Sequence, residues 1–516
     1  MTSMHTHEQI AEMDADALRV FAVRLIDEND GFRRDNALKQ LKIDQLTHEM
    51  AILRRWRYGA KSERLKGVHR DLFEATLDAD IEAIRLELEA LAGAETRTVP
   101  KAQPRRMPLP AALPRTEIRH EPEQTVCACG CALRRIGEDV SEKLDYTPGV
   151  FTVERHIRGT WVCTQCETVQ QAPVPPHVID KGLPTTGLLA QVLVGKYLDH
   201  LPLNRQEHIF ERAGLAIPRS TLAQGRTLRS RLAAPVVDAL RTLMLERGVL
   251  HADETPVAML SPGKGKTHTA YVWAYATTAY DPLQAVVYDF ADSRAGKEAQ
   301  RFLADWKGSL VCDDYPAYNV LFRNGVTEAG CLAHARRKFH ELTGSGEHPV
   351  ADEALRFFRL IYEIEKTVRE HPPDERTRIR QRETQPVLET FHTWLILQRQ
   401  RATDGTALAS AIDYSLNRWV AHTRFASDGH LPVDNNHIEN RIRPIALGRA
   451  NWLFAGSLRG GQRAAAVMSL IQSAKLNGHD PYVYLKDVLT RLPTQRASAV
   501  EELLPHRWQP LVTKTS

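Results

Sequence analysis

The sequence predicts a multidomain α+β protein from three features. These are apolar residues at helical spacing near the N-terminus, a cysteine cluster between strand-like runs, and a βββαβαβ pattern from residue 248. At 516 residues, with 26% charged and 43% hydrophobic content, the chain has material for several cores. A formal net charge of +4 is too small to name a nucleic-acid partner, so basic character must be sought locally. No apolar run reaches membrane-spanning length, and the opening MTSMHTHEQI lacks a signal peptide's basic and apolar regions. The expectation is a cytoplasmic protein with no membrane partner.

Residues 1–98 read as a helical, coiled-coil region for oligomerisation and DNA binding. Ile43, Leu46, Met50 and Leu53 keep a three-four spacing, and Leu77, Ile81, Ile84, Leu88 and Leu91 repeat it. Between them, RRWRYGAKSERL offers Arg54, Arg55, Arg57, Lys61 and Arg64 either to phosphates or to a solvated helix face. Residues 99–115 carry Pro100, Pro104, Pro108, Pro110 and Pro114, the composition of an extended linker. Residues 116–178 come next as a small β domain with TVCACGCAL and WVCTQCETV. Five of the seven cysteines lie here, which suits a structural zinc site in a reducing compartment better than disulfides. Cys163 and Cys166 can place two thiolates on one tetrahedral Zn²⁺, and Cys127, Cys129 and Cys131 can complete it, which of the three being open.

Residues 179–246 read as a helix-turn-helix-like region. A helix runs through Ile209 and Phe210, Gly214 breaks it, and Pro218 opens a second, basic helix with Arg219, Arg226, Arg229 and Arg231. Such a helix could lie against DNA; two packed helices of an ordinary α domain would read the same. In residues 247–345, GVLHADETPV, TAYVWAYAT and QAVVYDF read as strands, SRAGKEAQRFLADW as a helix, SLVCDD as a fourth strand and VTEAGCLAHA as a fifth. Residues 346–430 form a helical insertion, 431–475 complete the α/β domain with a helix carrying Glu439, and 476–516 form a helical tail.

Asp253 would end the first strand, Asp313 the fourth, and Glu439 would join them from its helix. One such acid alone reads as a surface carboxylate or helix cap. Two at strand ends and one on a helix can supply the hard oxygen ligands of two Mg²⁺ (or Mn²⁺) ions, the requirement of phosphodiester chemistry. This points to a nuclease or a DNA strand transferase.

The chain resembles the large transposase of the insertion sequence 66 family. The resemblance is carried, in order, by RRWRYGAKSERL, GEDVSEKLDYTPGVFTVERHIRG, GLLAQVLVGKYLDHLPLNRQEHIFERAG, HADETPV, CDDYPAYN, CLAHARRKF, DNNHIENRIRPIALGRANWLFAGS and AKLNGHDPYVYL, nearly the whole chain. It implies a ribonuclease-H-like, retroviral-integrase-like catalytic domain with an acidic DDE triad. Asp253, Asp313 and Glu439 match that triad, with Asp314 as the rival for the second position. Glu439 comes after the paired Asn435 and Asn436, which with His334 count as active-site support. Arg336 and Arg337 are candidates for phosphate contact, and Arg441, Arg443, Arg449, Arg459 and Arg463 form a basic stretch beside Glu439. The sequence departs from the family in Cys-Ala-Cys-Gly-Cys, in Gly225 where an aromatic residue is common, and in Ala450 where a Lys is common.

The resemblance implies a transposase that cuts its element's ends and joins their 3′-hydroxyls to target DNA. Its partners would be terminal inverted repeats, target DNA, further copies of itself and companion proteins of the same element, with nucleoid association when DNA-bound. The competing readings are a ribonuclease-H-like nuclease or resolvase that cuts without joining, and an inactive end-binding protein.

Overall fold

In the computed structural model, the described residues are scattered positions between 18 and 50, most of 109–121, and 133–147, 149–173, 183–222, 234–261, 266–343 and 348–510. The chain divides into two compact units, Met1–Leu65 with Leu77–Arg106, and Lys66–Thr76 with Met107–Ser516. In the first unit the described residues, Ile43, Leu46 and Met50 among them, are helical. Leu53, the repeat from Leu77 to Leu91 and RRWRYGAKSERL lie outside the described residues.

The second unit opens with a sheet of β1 (Arg115–His120), β2 (Leu133–Thr147), β3 (Val150–Cys163) and β4 (Val169–Gln171). β2 and β3 form an antiparallel hairpin whose turn contains Gly149 at φ 85°, a conformation that glycine adopts without strain. β1 pairs in parallel with one edge of β3, and β4 pairs antiparallel with it. The hairpin's inner end is tied down. Leu144 exchanges backbone hydrogen bonds with Leu183 and Thr185 at 2.9 Å each, and the Tyr482 hydroxyl donates to the Tyr146 carbonyl at 2.8 Å.

Helices α1 (Thr186–Tyr197), α2 (Leu203–Arg212), α3 (Arg219–Leu222) and α4 (Ala234–Leu245) lead into the main sheet. Gly214, at φ 89°, separates α2 from α3 as the sequence predicts, and the stretch between Leu222 and Ala234, with Arg226, Arg229 and Arg231, lies outside the described residues. The main sheet holds β5 (Val249–Ser261), β6 (Lys266–Thr277), β7 (Val286–Ala291), β8 (Ser309–Cys312) and β9 (Thr327–Gly330) in the order β7-β6-β5-β8-β9. The first three strands are antiparallel neighbours; β8 and β9 run parallel to β5. Helices α5 (Gly296–Leu303) and α6 (Asn319–Arg323) lie in the connections around β8.

Beyond β9 come α7 (Leu332–Thr343), α8 (Pro349–Val368), α9 (Pro373–Ile379), α10 (Gln385–Arg401), α11 (Ala407–Asn417) and α12 (Trp419–Thr423). The chain then forms α13 (Asn436–Trp452), α14 (Leu458–Leu476) and α15 (Pro481–Arg491). The period-two alternation of β6 explains how the sheet is covered. Ala270, Val272, Ala274 and Ala276 share a core with Ile438, Ile442 and Ile445 of α13. Trp273 and Tyr275 enter the core on the other face, with Leu189, Leu240, Phe302, Ile471 and Tyr484. That core draws in α1, α4 and the C-terminal segment through Trp508, so these segments are part of the body around the sheet.

β7 is an edge strand, and two serines of α14 cover its backbone. Ser469 Oγ accepts from Tyr288 N (2.8 Å), while Ser473 Oγ accepts from Val286 N (3.0 Å) and donates to Val286 O (2.9 Å). The helical insertion has its own core, which reaches the sheet through Val311 and Ala329.

Two sequence expectations are corrected. VTEAGCLAHA is not one strand: β9 stops at Gly330, where a Cβ would run into His422, and Leu332 begins α7. Asp253 does not end its strand, because β5 runs on to Ser261 as the partner of β6; only its pairing with β8 stops, at His251.

The insertion's last segment is held by a buried ion pair. Arg380 donates to both Glu365 carboxylate oxygens (2.8 and 2.6 Å) and to the carbonyls of Phe425, Asp428 and Leu431 (2.8, 3.1 and 3.0 Å). Arg380→Met should strand the Glu365 carboxylate and cost about 3–5 kcal/mol of stability. A denaturant melt displaced by less than about 1 kcal/mol would show the pair to be dispensable.

Candidate active site

Parallel pairing sets Val249 against Ser309, Leu250 against Leu310 and His251 against Val311. Continued by two residues, the same register brings Asp253 beside Asp313, the residue immediately after β8. Asp253 Oδ1 accepts only the adjacent Glu254 N–H (2.8 Å) among the hydrogen bonds of the described residues. Burial pushes its carboxyl up to about 8, and the charges of Glu254, Asp313 and Glu439 push the same way. Three carboxylates therefore converge where, among the described residues, no cationic side chain neutralises Asp253.

Glu254 points elsewhere, as strand alternation requires. Arg294 binds its Oε1 through Nε (2.9 Å) and Nη2 (2.5 Å), and Tyr318 donates to Oε2 (2.7 Å). Arg294 in turn lies over the Tyr315 ring, 3.6 Å from its centroid, and accepts the Tyr315 hydroxyl on its carbonyl. The tyrosines of DDYPAY thus lock the Asp313 loop against β5. Asp313 Oδ1 caps that loop by accepting from Tyr315 N (3.1 Å). Asp314 is exposed and pairs with Arg418 (3.2 Å). Arg418 also reaches the Asp313 carbonyl (3.3 Å) and binds Glu328 (2.8 Å).

Glu439 occupies the first turn of α13. Asn435, fully buried, fixes where that turn begins. Its Nδ2 donates to the Ala252 carbonyl (2.9 Å), its Oδ1 accepts from His251 Nδ1 (2.6 Å), and its N–H donates to Cys331 Sγ (3.1 Å). That donation places the His251 proton on Nδ1, and burial lowers His251 to about 3, so the imidazole stays neutral. Asn436 donates through N–H and Nδ2 to Asp434 (3.0 and 2.8 Å), which also accepts from Tyr362 of the insertion (2.8 Å).

Arg337 Nη2 lies 3.3 Å from Glu439 Oε2, and His334 Nδ1 lies 3.6 Å from Oε1. His334 is lowered by burial, against the opposing pull of Glu439. The ligand atoms of Cys331, His334 and Glu439 lie within 4.8 Å of one another. Burial raises the Cys331 thiol to about 12.

The remaining candidates are more spread out. Arg336 and Arg443 are exposed, and Arg441 carries a buried Nε with no hydrogen-bond partner among the described residues. Arg449 donates to the Pro256 carbonyl of β5 (2.7 Å). Arg219 opens α3. Cys163 is buried at the end of β3 and Cys166 is exposed in the turn after it, where Glu167 N–H donates to the Cys163 carbonyl (3.0 Å). Cys127, Cys129 and Cys131 lie outside the described residues, but Leu133, the first residue of β2, pairs with Cys163. Sequence reasoning missed Arg418, whose surroundings read as an ordinary insertion helix, and His251, whose partner is far away in the chain.

The model of the transposase IS66 family matches residues 181–463, a span that contains all three carboxylates. The chain belongs to the IS66 transposase family. Further matches are the zinc-finger binding domain of transposase IS66 over 124–167, the IS66 C-terminal element over 469–506, and a model described as transposase C of IS166 homeodomain over 45–118. Three proteins of Sinorhizobium fredii are similar. Uncharacterized protein y4jD is 37% identical over 78% of this chain and 81% of its own length. Uncharacterized protein y4qI is 35% identical over 91% and 90%, and uncharacterized protein y4hP is 31% identical over 91% and 88%. Among the described residues, no helix of this IS66 transposase is long and apolar enough to cross a membrane.

The raised Asp253 has a pH signature. Its folded carboxyl binds the proton more tightly than the ordinary value of 3.8, so this contribution to stability is complete at low pH and lost as the pH rises through about 8. Without added divalent cation, denaturant melts from pH 5 to 9 should show wild type falling relative to Asp253→Asn; parallel curves would mean that Asp253 ionises normally.

Proposed function

We propose that this IS66 transposase acts by DDE chemistry. Asp253, Asp313 and Glu439 form the catalytic triad, and the same three carboxylates would hold two Mg²⁺ (or Mn²⁺) ions. The observation that carries this reading is the convergence of three carboxylates around Asp253, whose ionisation lacks a compensating cationic side chain among the described residues. The donors fit such ions: they are hard oxygens, and Glu439 Oε1 is a buried atom without a hydrogen-bond partner among the described residues. Bound there, the ions would neutralise the phosphodiester and activate the attacking oxygen.

The strand order, with three antiparallel strands and then two parallel ones, supports a ribonuclease-H-like, retroviral-integrase-like catalytic fold completed by α13. The helical insertion then lies between the second and third acids. In this reading, hydrolysis frees a 3′-hydroxyl at the element's end, and that hydroxyl attacks target DNA. The triad positions both reactants, and Asn435, Asn436 and His334 fix or flank Glu439. Arg336, Arg337, Arg441, Arg443 and Arg449, with Arg219 and Arg226, would contact the phosphate backbone. Cys163 and Cys166 with members of Cys127, Cys129 and Cys131 would hold a structural Zn²⁺. The N-terminal heptads would pair copies of the chain as a coiled coil, to hold two element ends alongside companion proteins of the element. Such a protein would work in the cytoplasm, associated with the nucleoid when bound to DNA.

Wild type should cleave labelled element-end DNA in Mg²⁺ and join its 3′-hydroxyl to target DNA. Asp253→Asn, Asp313→Asn and Glu439→Gln should bind the same DNA and do neither. Cleavage without joining would identify a nuclease or resolvase, and activity in the Asp253→Asn variant would sink the triad. Arg441→Ala and Arg443→Ala should each flatten the plot of log affinity against log salt by roughly 0.9 per lost phosphate contact. An unchanged slope would remove these arginines from the DNA interface.

A further inference from the structure

The side chains around Glu439 are divided in their work. Arg337 takes Oε2, whereas Oε1 faces His334 Nδ1 across 3.6 Å. Both facing atoms are buried without a hydrogen-bond partner among the described residues. That separation is too long for a hydrogen bond. It is near the spacing of two donors on one ion, since ligands each about 2.1 Å from a metal lie roughly 3.0–3.4 Å apart. The backbone fixes the arrangement from both sides. His334 projects from the first turn of α7, Glu439 from the first turn of α13, and the Asn435 N–H to Cys331 Sγ bond joins the starts of the two helices.

We infer that His334 is a direct ligand, through Nδ1, of the divalent cation bound by Glu439 Oε1, so that one of the two cation sites is a mixed nitrogen and oxygen site. This rests on the reading of Glu439 as a cation ligand. An imidazole nitrogen is a softer donor than a carboxylate oxygen and shifts preference from Mg²⁺ toward transition ions. Cys331 Sγ lies in the same group of donors but already accepts the Asn435 N–H, which assigns it to holding the helix rather than the ion. The buried, unpartnered His334 Nδ1 and Glu439 Oε1 are what a cation between them would satisfy.

The test uses full-length, zinc-loaded protein titrated with Mn²⁺ and monitored by electron paramagnetic resonance. Bound Mn²⁺ should show nitrogen hyperfine coupling from one imidazole. His334→Gln should remove that coupling and weaken Mn²⁺ binding by roughly tenfold or more, with a smaller loss for Mg²⁺. Cys331→Ser should keep the coupling. Mn²⁺ bound without nitrogen coupling in the wild type, or coupling that survives His334→Gln, would overturn the inference and leave the triad intact. Mn²⁺ binding that ignores both Asp253→Asn and Glu439→Gln would instead remove the triad, and the inference with it.

Discussion

The carboxamide of Asn435 sits where the central strand, the end of the helical insertion and the acid-bearing helix meet, and the hydrogen bonds of its side chain and backbone N–H leave no freedom at that junction. Nδ2 reads the Ala252 carbonyl one residue before Asp253, Oδ1 reads His251, and the backbone N–H reads Cys331. Glu439 N–H donates to the Asn435 carbonyl (3.2 Å), so the acid lies one helical turn from this anchor. An unpaired amide here would cost more than the bond itself, because no water reaches a fully buried group. The apolar contacts of Ile438, Ile442 and Ile445 with β6 hold the helix; the amide sets its register.

Around that joint the charges are arranged unevenly. Glu254, Glu328 and Glu365 each have an arginine: Arg294, Arg418 and Arg380. These pairs brace the Asp313 loop, the second acid's backbone and the chain leading to α13. Asp253 has none among the described residues, and its proton is held up to about 8. Its neighbour Glu254 differs in having both oxygens satisfied, by Arg294 and Tyr318, so two adjacent acids of one strand sit in opposite electrostatic surroundings. Under the proposed chemistry a divalent cation would be the counter-charge for the first, and DNA phosphates would be the partners of the exposed arginines nearby.

Much of this was legible in the residues. β5 and β8 were readable as short apolar runs, and the acid at the end of SLVC and the one within HADET keep the strands' common register. The family strings located Glu439 beside its asparagines. The features that resisted reading depend on distant partners. Nothing near Arg418 or Arg380 distinguishes a residue that braces a distant loop from one on a solvated helix. CLAHA is a short apolar run that fits a strand or a buried helix; in the structure it opens α7, and its Leu332 and Ala335 join the core of the insertion. The length of β5 beyond Asp253 is set by its hairpin with β6, a pairing that local pattern does not specify.

The most direct test of a single cation-binding acidic centre is anomalous scattering from crystals of the full chain soaked in Mn²⁺ and recorded at the manganese edge. Peaks bounded by the carboxylates of Asp253, Asp313 and Glu439, and lost in Asp253→Asn crystals, are the expected result. Manganese bound elsewhere, with Asp253 still protonated and unliganded at pH 8 and above, would contradict it.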